Sequence, residues 1–239
     1  MRASVRALLQ RAAPTAPVVG VAAAIFARLP CGSVDVSKMV LIRRGTPPGQ
    51  GLLVFAGGRQ ELGETLAGAA AREAREECGV DVYVADALCP GYAATDVLHP
   101  AAPPHGWHYA IVHVLTCVDA RADASGRRAV LPALRAGDDA ADALWVDLSA
   151  LLLQGGGGEP AGARPSAPPP PLPLPGGLEG GWLGGAGAGD AATPPRTRPP
   201  CLLELEAQGA LVPLTVHVAR RALRQWALLG VPTVGGSGW

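Results

Sequence analysis

Residues 56–80, "AGGRQELGETLAGAAAREAREECGV", gather most of the side chains in this chain that could do chemistry. Three carboxylates, Glu73, Glu76 and Glu77, recur at i, i+3 and i+4. On a helix of 3.6 residues per turn that spacing sets all three on one side. Like charges so placed repel one another and weaken a helix at neutral pH. A solvated helix would interleave cations there, yet Arg72 and Arg75 fall beside the cluster rather than within it. Carboxylate oxygens on a rigid support suit a hard divalent cation, Mg2+ or Mn2+. Such an ion bridges carboxylates to phosphate, neutralises phosphate charge and makes a hydroxide-like nucleophile from bound water. The preceding "GGRQELGE" reads as a tight loop in which Gly57 and Gly58 let backbone groups approach a ligand. Loop and helix together read as a pyrophosphate site.

Positioning these groups requires a helix over residues 65–78, closed by Gly79 as a left-handed cap with the apolar Val80 beyond it. Within it Ala67, Ala71, Ala74 and Cys78 share a side, small enough for the helix to lie close on a sheet. Extended segments are expected at 18–29, 39–44, 51–55, 80–84, 109–118 and around 144–146. The run 109–118 is nearly apolar on both faces, as a central strand is. Residues 91–106, with three prolines, read as a loop. Over 215–229, Ala219, Ala222, Leu223 and Trp226 recur at helical spacing, with Arg220, Arg221 and Arg224 on a solvated face. That helix should pack back on the domain.

The chain of 239 residues has room for one ordinary domain plus irregular segments. Aromatics are only 4%, so the core must be built from Ala, Val and Leu. Lys+Arg and Asp+Glu balance at 20 each, which points away from a nucleic acid polymer as partner. Lys38 is the sole lysine. No stretch reaches the length of a membrane span, so no membrane partner is expected. Cys31, Cys78, Cys89, Cys117 and Cys201 are odd in number and lack C-x-x-C spacing. They read as small apolar fillers in a reducing compartment. The division expected is a flexible start or short Arg-rich presequence at 1–17, a domain at 18–153, and a disordered Gly/Pro-rich insertion at 154–200. A helical segment at 201–230 and a loose tail at 231–239 complete it. Localisation follows as cytoplasmic, or mitochondrial or plastid if the start is a presequence.

The spacing inside the opening stretch carries a resemblance. Gly58, five residues, Glu64, seven residues, then Arg72-Glu73, Ala74, Arg75, Glu76-Glu77, Cys78, Gly79 and Val80 match G-x5-E-x7-R-E-U-x-E-E-x-G-U, where U is a bulky aliphatic residue. This is the Nudix box, and the chain is identified as a resembling member of the Nudix hydrolases. Ala74 is small for an aliphatic position, and Ala56 stands where many members have Pro. The resemblance implies an α/β fold, a mixed β-sheet sandwiched between helices with the box as loop–helix–loop. It also implies a Mg2+-dependent (Mn2+ as substitute) hydrolysis of a nucleoside diphosphate linked to another moiety. Glu73, Glu76 and Glu77 would be metal ligands with the Gly58 carbonyl. Glu76 carries the catalytic role, Arg72 and Glu64 organise loop and helix, and Gly57 and Gly58 adjoin the substrate.

An acidic residue outside the box serves some members as base, and Asp139 and Asp142 are the candidates in "AGDDAADALWVDL". The stretches "LIRRGTPPGQGLLVFAGGRQELGETL" and "GWHYAIVHV" resemble ADP-ribose pyrophosphatase-like members, which makes ADP-ribose or a related nucleotide sugar the leading substrate. That subgroup's proline beyond the box is missing, since Pro90 and Pro100 sit at other distances and Asp96 is nearer the place. Trp107 either stacks on a base or packs. His99, His105, His108 and His113 lie close together without a zinc pattern. The rival functions are a nucleoside triphosphate pyrophosphatase and a non-catalytic nucleotide-binding regulator. A nucleotide small molecule is the expected partner, with a homodimer a further expectation.

Overall fold

The structure, a computed structural model, describes residues 16–47, 49–86, 90–99, 107–154 and 198–235. Expectations for the Arg-rich start, for all but the ends of the 154–200 segment, and for Cys89, Pro100, His105 and the last residues lie outside the described residues. The side chains of His99 and Trp107 lie outside them too.

In chain order the elements are β1 (Val18–Arg28), β2 (Val34–Asp35), β3 (Lys38–Arg44), β4 (Leu53–Val54), β5 (Ala56–Arg59), α1 (Leu66–Cys78), β6 (Tyr83–Val84) and β7 (Gly91–His99). There follow β8 (Trp107–Asp119), β9 (Arg121–Ala122), β10 (Ala129–Val130), β11 (Ala140–Asp147), α2 (Ser149–Gln154), α3 (Leu202–Ala207), α4 (Thr215–Leu228) and β12 (Thr233–Val234).

Every residue of β1 from 21 to 27 is buried, because this run is apolar at consecutive positions and so can be covered on both faces. It runs parallel to β8 from Val18 opposite Tyr109 to Arg28 opposite Asp119. Its other edge takes β5 and β2, both antiparallel, so the sheet is mixed. Alternation along β1 then divides the core. Val21, Ala23 and Ile25 meet Ala70, Ala74 and Cys78 of α1. Ala22, Ala24 and Phe26 meet Ala219, Ala222 and Trp226 of α4. A second sheet, ordered β11-β3-β4, feeds the same two clusters, with Val40 and Ile42 on one side and Met39 and Leu41 on the other. This is the mixed α/β sheet between helices that the box implied.

The remaining aromatic weight sits under α4. Trp226 is buried and meets Phe26 edge-on, with ring centroids 5.8 Å apart. Arg220, Arg221 and Arg224 are exposed on the opposite face, as the spacing indicated, while Leu223 is half-buried. On the same face of the sheet His113 is buried against the rings of Phe55 and Tyr92, and Thr95 Oγ1 lies 3.1 Å from its Nε2. Burial pushes its pKa down to about 4, so it is neutral in the fold. At the turn from β2 to β3, the solitary lysine has a structural task. Buried Asp35 accepts from Lys38 Nζ at 3.0 Å and from the Ser37 backbone at 2.9 Å.

Several expectations are corrected. Residues 91–99 form β7 rather than a loop, because they pair antiparallel with β8 along the strand, apart from a bulge at Tyr92, and all three prolines fall beyond it. The glycines Gly57 and Gly58 lie in β5, paired with Ala22 and Val21, rather than in a loop. β11 extends past 144–146 at both ends, and residues 80–84 give only the two-residue β6. Residues 233–234 of the expected loose tail pair in parallel with β2. Cys78 and Cys117 are buried fillers, but Cys31 is exposed in the turn after β1.

Two stability measurements check this packing. Trp226→Ala should cost about 3–5 kcal/mol by urea unfolding, since it empties a large site between α4 and the sheet. The histidine gives a pH signature: its native pKa is depressed to about 4, against an unfolded value of about 6.5. The unfolded state therefore binds the extra proton, and stability should fall as pH drops through that window by about one proton's slope. His113→Leu should remove that slope.

Candidate active site

Helix α1 is set by its own ends. Thr65, extended at φ −81° and ψ 160°, accepts the Gly68 N–H at 3.0 Å as N-cap. Gly79 closes the helix at φ 69°, and its N–H returns to the carbonyls of Ala74 and Arg75. The face turned to the sheet is Ala69, Ala70, Glu73, Ala74, Glu77 and Cys78. This corrects the expected packing face: Ala74 and Cys78 belong to it, but Ala67 and Ala71 are only half-buried. The helix is rotated so that two of the three glutamates, with the small residues beside them, face β5.

Glycine makes room for them. A Cβ on Gly58 would lie 2.5 Å from Glu73 Oε1, so that carboxylate rests on the bare backbone of β5. A Cβ on Gly57 would overlap the Val21 carbonyl oxygen, so β5 can approach β1 only without a side chain there. The Gly57 N–H donates to Glu77 Oε2 at 2.7 Å.

The three glutamates are in different environments. Glu73 and Glu77 are buried, whereas the Glu76 side chain is 45% exposed. Loss of water raises the pKa of Glu73, and it pushes Glu77 up to about 9. Glu77 also shares a side-chain hydrogen bond with Asp139, and Asp139 is correspondingly held below the usual carboxylate range. The proton of that pair therefore belongs on Glu77.

Arg72 joins box, loop and strand. Its Nε and Nη2 grip Glu64 at 3.0 and 3.1 Å, and Nη1 reaches Glu73 at 2.7 Å and Glu76 at 3.0 Å. Nη2 also donates to the Arg59 carbonyl at 2.9 Å, just before the turn. Glu64 accepts from the Glu61 N–H at 3.1 Å, and its carbonyl accepts from Gln60 Nε2 at 2.6 Å. Residues 59–64 are thus folded around one ion pair. The Arg72 hydrogen bonds hold Glu64 below its ordinary pKa and Arg72 above its own.

Among the described residues, no three His, Cys, Asp or Glu groups converge at metal-binding spacing. Each box glutamate is committed elsewhere: Glu73 and Glu76 to Arg72, Glu77 to Gly57 and Asp139. The donor set still suits a hard divalent cation. It is all oxygen, it stands beside the Gly58 backbone, and burial raises the pKa of its two inward carboxyls, a cost that a bound cation would offset.

Of the two acids outside the box, the structure brings Asp139 to it. Asp142 lies in β11 opposite Arg43 and makes no hydrogen bond to the box among the described residues. The means of bringing Asp139 were missed in the sequence. Thr46, in the loop after β3, donates from Oγ1 to Asp139 Oδ2 at 3.0 Å, and the Gly45 N–H donates to the Asp139 carbonyl at 2.7 Å. The only signals were a "GT" pair in one turn and "GDD" in another. Asp96 pairs with His108 at 3.3 Å instead. His108 and His113 are an odd number of residues apart on β8 and face opposite sides of the sheet.

A family model described as "NUDIX domain" matches residues 19–164. The chain is similar to the crystal structure of a bifunctional NMN adenylyltransferase/ADP ribose pyrophosphatase from Francisella tularensis, at 22% identity and TM-score 0.39 over 60% of this chain. It spans only 37% of the length of that protein. It is also similar to a C. elegans Ap4A hydrolase, at 15% identity and TM-score 0.38, covering 57% of this chain and 84% of that one. A third is the NUDIX domain of Shewanella oneidensis NrtR, solved with ADP ribose, at 18% identity and TM-score 0.36, covering 63% and 88%. No curated protein matches the chain.

The two glycines of β5 should separate stability from function. Gly57→Ala meets backbone and should cost about 1–3 kcal/mol by chemical denaturation. Gly58→Ala meets only the movable end of Glu73, so its stability should stay within about 1 kcal/mol of the parent. Its Mn2+ affinity, followed by the loss of the free-ion spin-resonance signal on titration, should nevertheless weaken.

Proposed function

Since the chain belongs to the Nudix family, whose domain model matches residues 19–164 of 239, we propose that it is a divalent-metal-dependent pyrophosphohydrolase acting on a nucleoside diphosphate linked to a second moiety. ADP-ribose or a related nucleotide sugar is the substrate we put first. The observation that carries the reading is the pair Glu73 and Glu77, pressed out of water onto the bare backbone of Gly58 and Gly57. Carboxyls so placed are costly to fold around and gain their value from a cation.

Glu73, Glu76 and Glu77, with the Gly58 carbonyl, would hold Mg2+ or Mn2+, which supplies charge neutralisation of the diphosphate and lowers the pKa of water. Arg72 and Glu64 keep the loop at residues 59–64 folded beside the carboxylates. Asp139, held in place beside the box by Thr46 Oγ1 and the Gly45 N–H, takes the proton of the attacking water. Water oxygen adds to one phosphorus, and the bridging phosphoanhydride bond breaks. The leaving phosphate takes the bridging oxygen. The products are a nucleoside monophosphate and the phosphorylated second moiety.

A panel of ADP-ribose, NADH, sugar nucleotides and oxidised nucleoside triphosphates, assayed with Mg2+ for monophosphate release, tests both class and substrate. Glu76→Gln should lower kcat by about 100-fold or more, as loss of charge stabilisation does elsewhere. Wild-type protein that binds ADP-ribose yet turns over no member of the panel would overturn the catalytic reading. Turnover confined to the triphosphates would move the substrate class.

A further inference from the structure

Asp139 is held in place by more than its neighbours in sequence. Two close backbone approaches and one left-handed residue fix residue 139 before its side chain acts. Gly137 lies so near the Glu76 carbonyl that no Cβ fits between them. Asp138 takes a left-handed conformation at φ 48°, uncommon outside glycine. A Cβ on Gly45 would stand 2.5 Å from the Asp139 carbonyl oxygen, so the loop after β3 closes on that residue only because Gly45 has none. The loop itself is braced. Gln50 Nε2 donates to the Gly45 carbonyl at 2.8 Å, Arg43 Nη1 to the Gly51 carbonyl at 2.8 Å, and the Gly51 N–H to the Arg44 carbonyl at 2.8 Å.

From this braced loop Thr46 reaches across to Asp139 Oδ2. Thr46 is exposed, and a solvent-exposed hydroxyl hydrogen bond contributes little to folding. Its geometry is nevertheless restricted, because a β-branched side chain has few χ1 wells. With one carboxylate oxygen engaged by Thr46 and the backbone carbonyl of the same residue held by the Gly45 N–H, Asp139 cannot rotate freely.

We infer that Thr46 is a positioning residue, which aims the Asp139 carboxylate at the attacking water from outside the box. The inference rests on the proposed reading of Asp139 as the group that takes the water's proton. It assigns the loop after β3 a share in the rate of the chemical step. Loss of the Thr46 hydroxyl lowers kcat and leaves substrate affinity in place, because Asp139 acts on the water.

The test is steady-state hydrolysis, with Mg2+, of whichever panel member the wild-type chain turns over best. Thr46→Val removes the hydroxyl at nearly constant shape and should lower kcat about 10- to 100-fold with KM within about 2-fold. Thr46→Ser should restore kcat to within about 3-fold of wild type, a rescue that a merely structural role would not give. In an Asp139→Asn background, Thr46→Val should have little further effect, since both changes act through one group. Unchanged kcat in Thr46→Val, equal loss in Thr46→Ser, or additive losses in the double variant would each overturn the inference while wild-type turnover stands. A wild-type chain with no turnover overturns the hydrolase reading, and the role of Thr46 falls with it.

Discussion

Placing carboxyls out of water is the constraint to which the rest of this molecule answers. Glu73 and Glu77 are turned toward β5 instead of solvent. Desolvation alone would make that arrangement unfavourable. It is tolerated because each carboxyl has a specific partner: Arg72 on one, and the Gly57 N–H with Asp139 on the other. The glycines, the small-residue face of α1 and the tight passage at 135–139 are conditions for the same placement. The Arg135 N–H caps the Cys78 carbonyl at 2.9 Å, which draws that passage onto the end of α1.

Arg72 has a second part in this balance. Among the described residues it is the one guanidinium that touches Glu64, Glu73 and Glu76 together, so it offsets repulsion that the i, i+3, i+4 spacing creates. A single cation shared among three carboxylates is stronger than three separate surface pairs, since its side chain is ordered once. The same pairing folds the turn before the helix, so the loop cannot relax without disturbing the glutamates.

What the sequence made legible follows from how local each feature is. The cap at Gly79, the helix from residue 66 to 78 and the run of β1 depend on neighbours in the chain, and their residue types announced them. The three box glutamates were readable as a cluster because helix periodicity places them. The division of that cluster into two buried members and one exposed was not, because it depends on helix rotation against β5, which is tertiary. β7 was misread for a similar reason: "GYAATDV" has little strand character, and its pairing with β8 settles its conformation. Thr46 is the extreme case. Its meaning lies in a contact with a residue 93 positions away, and no local pattern encodes that.

The order of the strands has a consequence for how this chain comes to its shape. β1 finds its long parallel partner only after β8 has been made, and β2 is joined along its edge by β12, about 200 residues further along the chain. Trp226, which fills the space under Phe26, belongs to α4, made later still than β8. A chain emerging from synthesis amino end first therefore carries an uncovered apolar sheet face until residues 215–228 have been made. Such non-local pairing slows folding and prolongs the exposure of sticky surface. The burden of avoiding association falls on the growing chain rather than on the finished protein, and it ends when α4 docks.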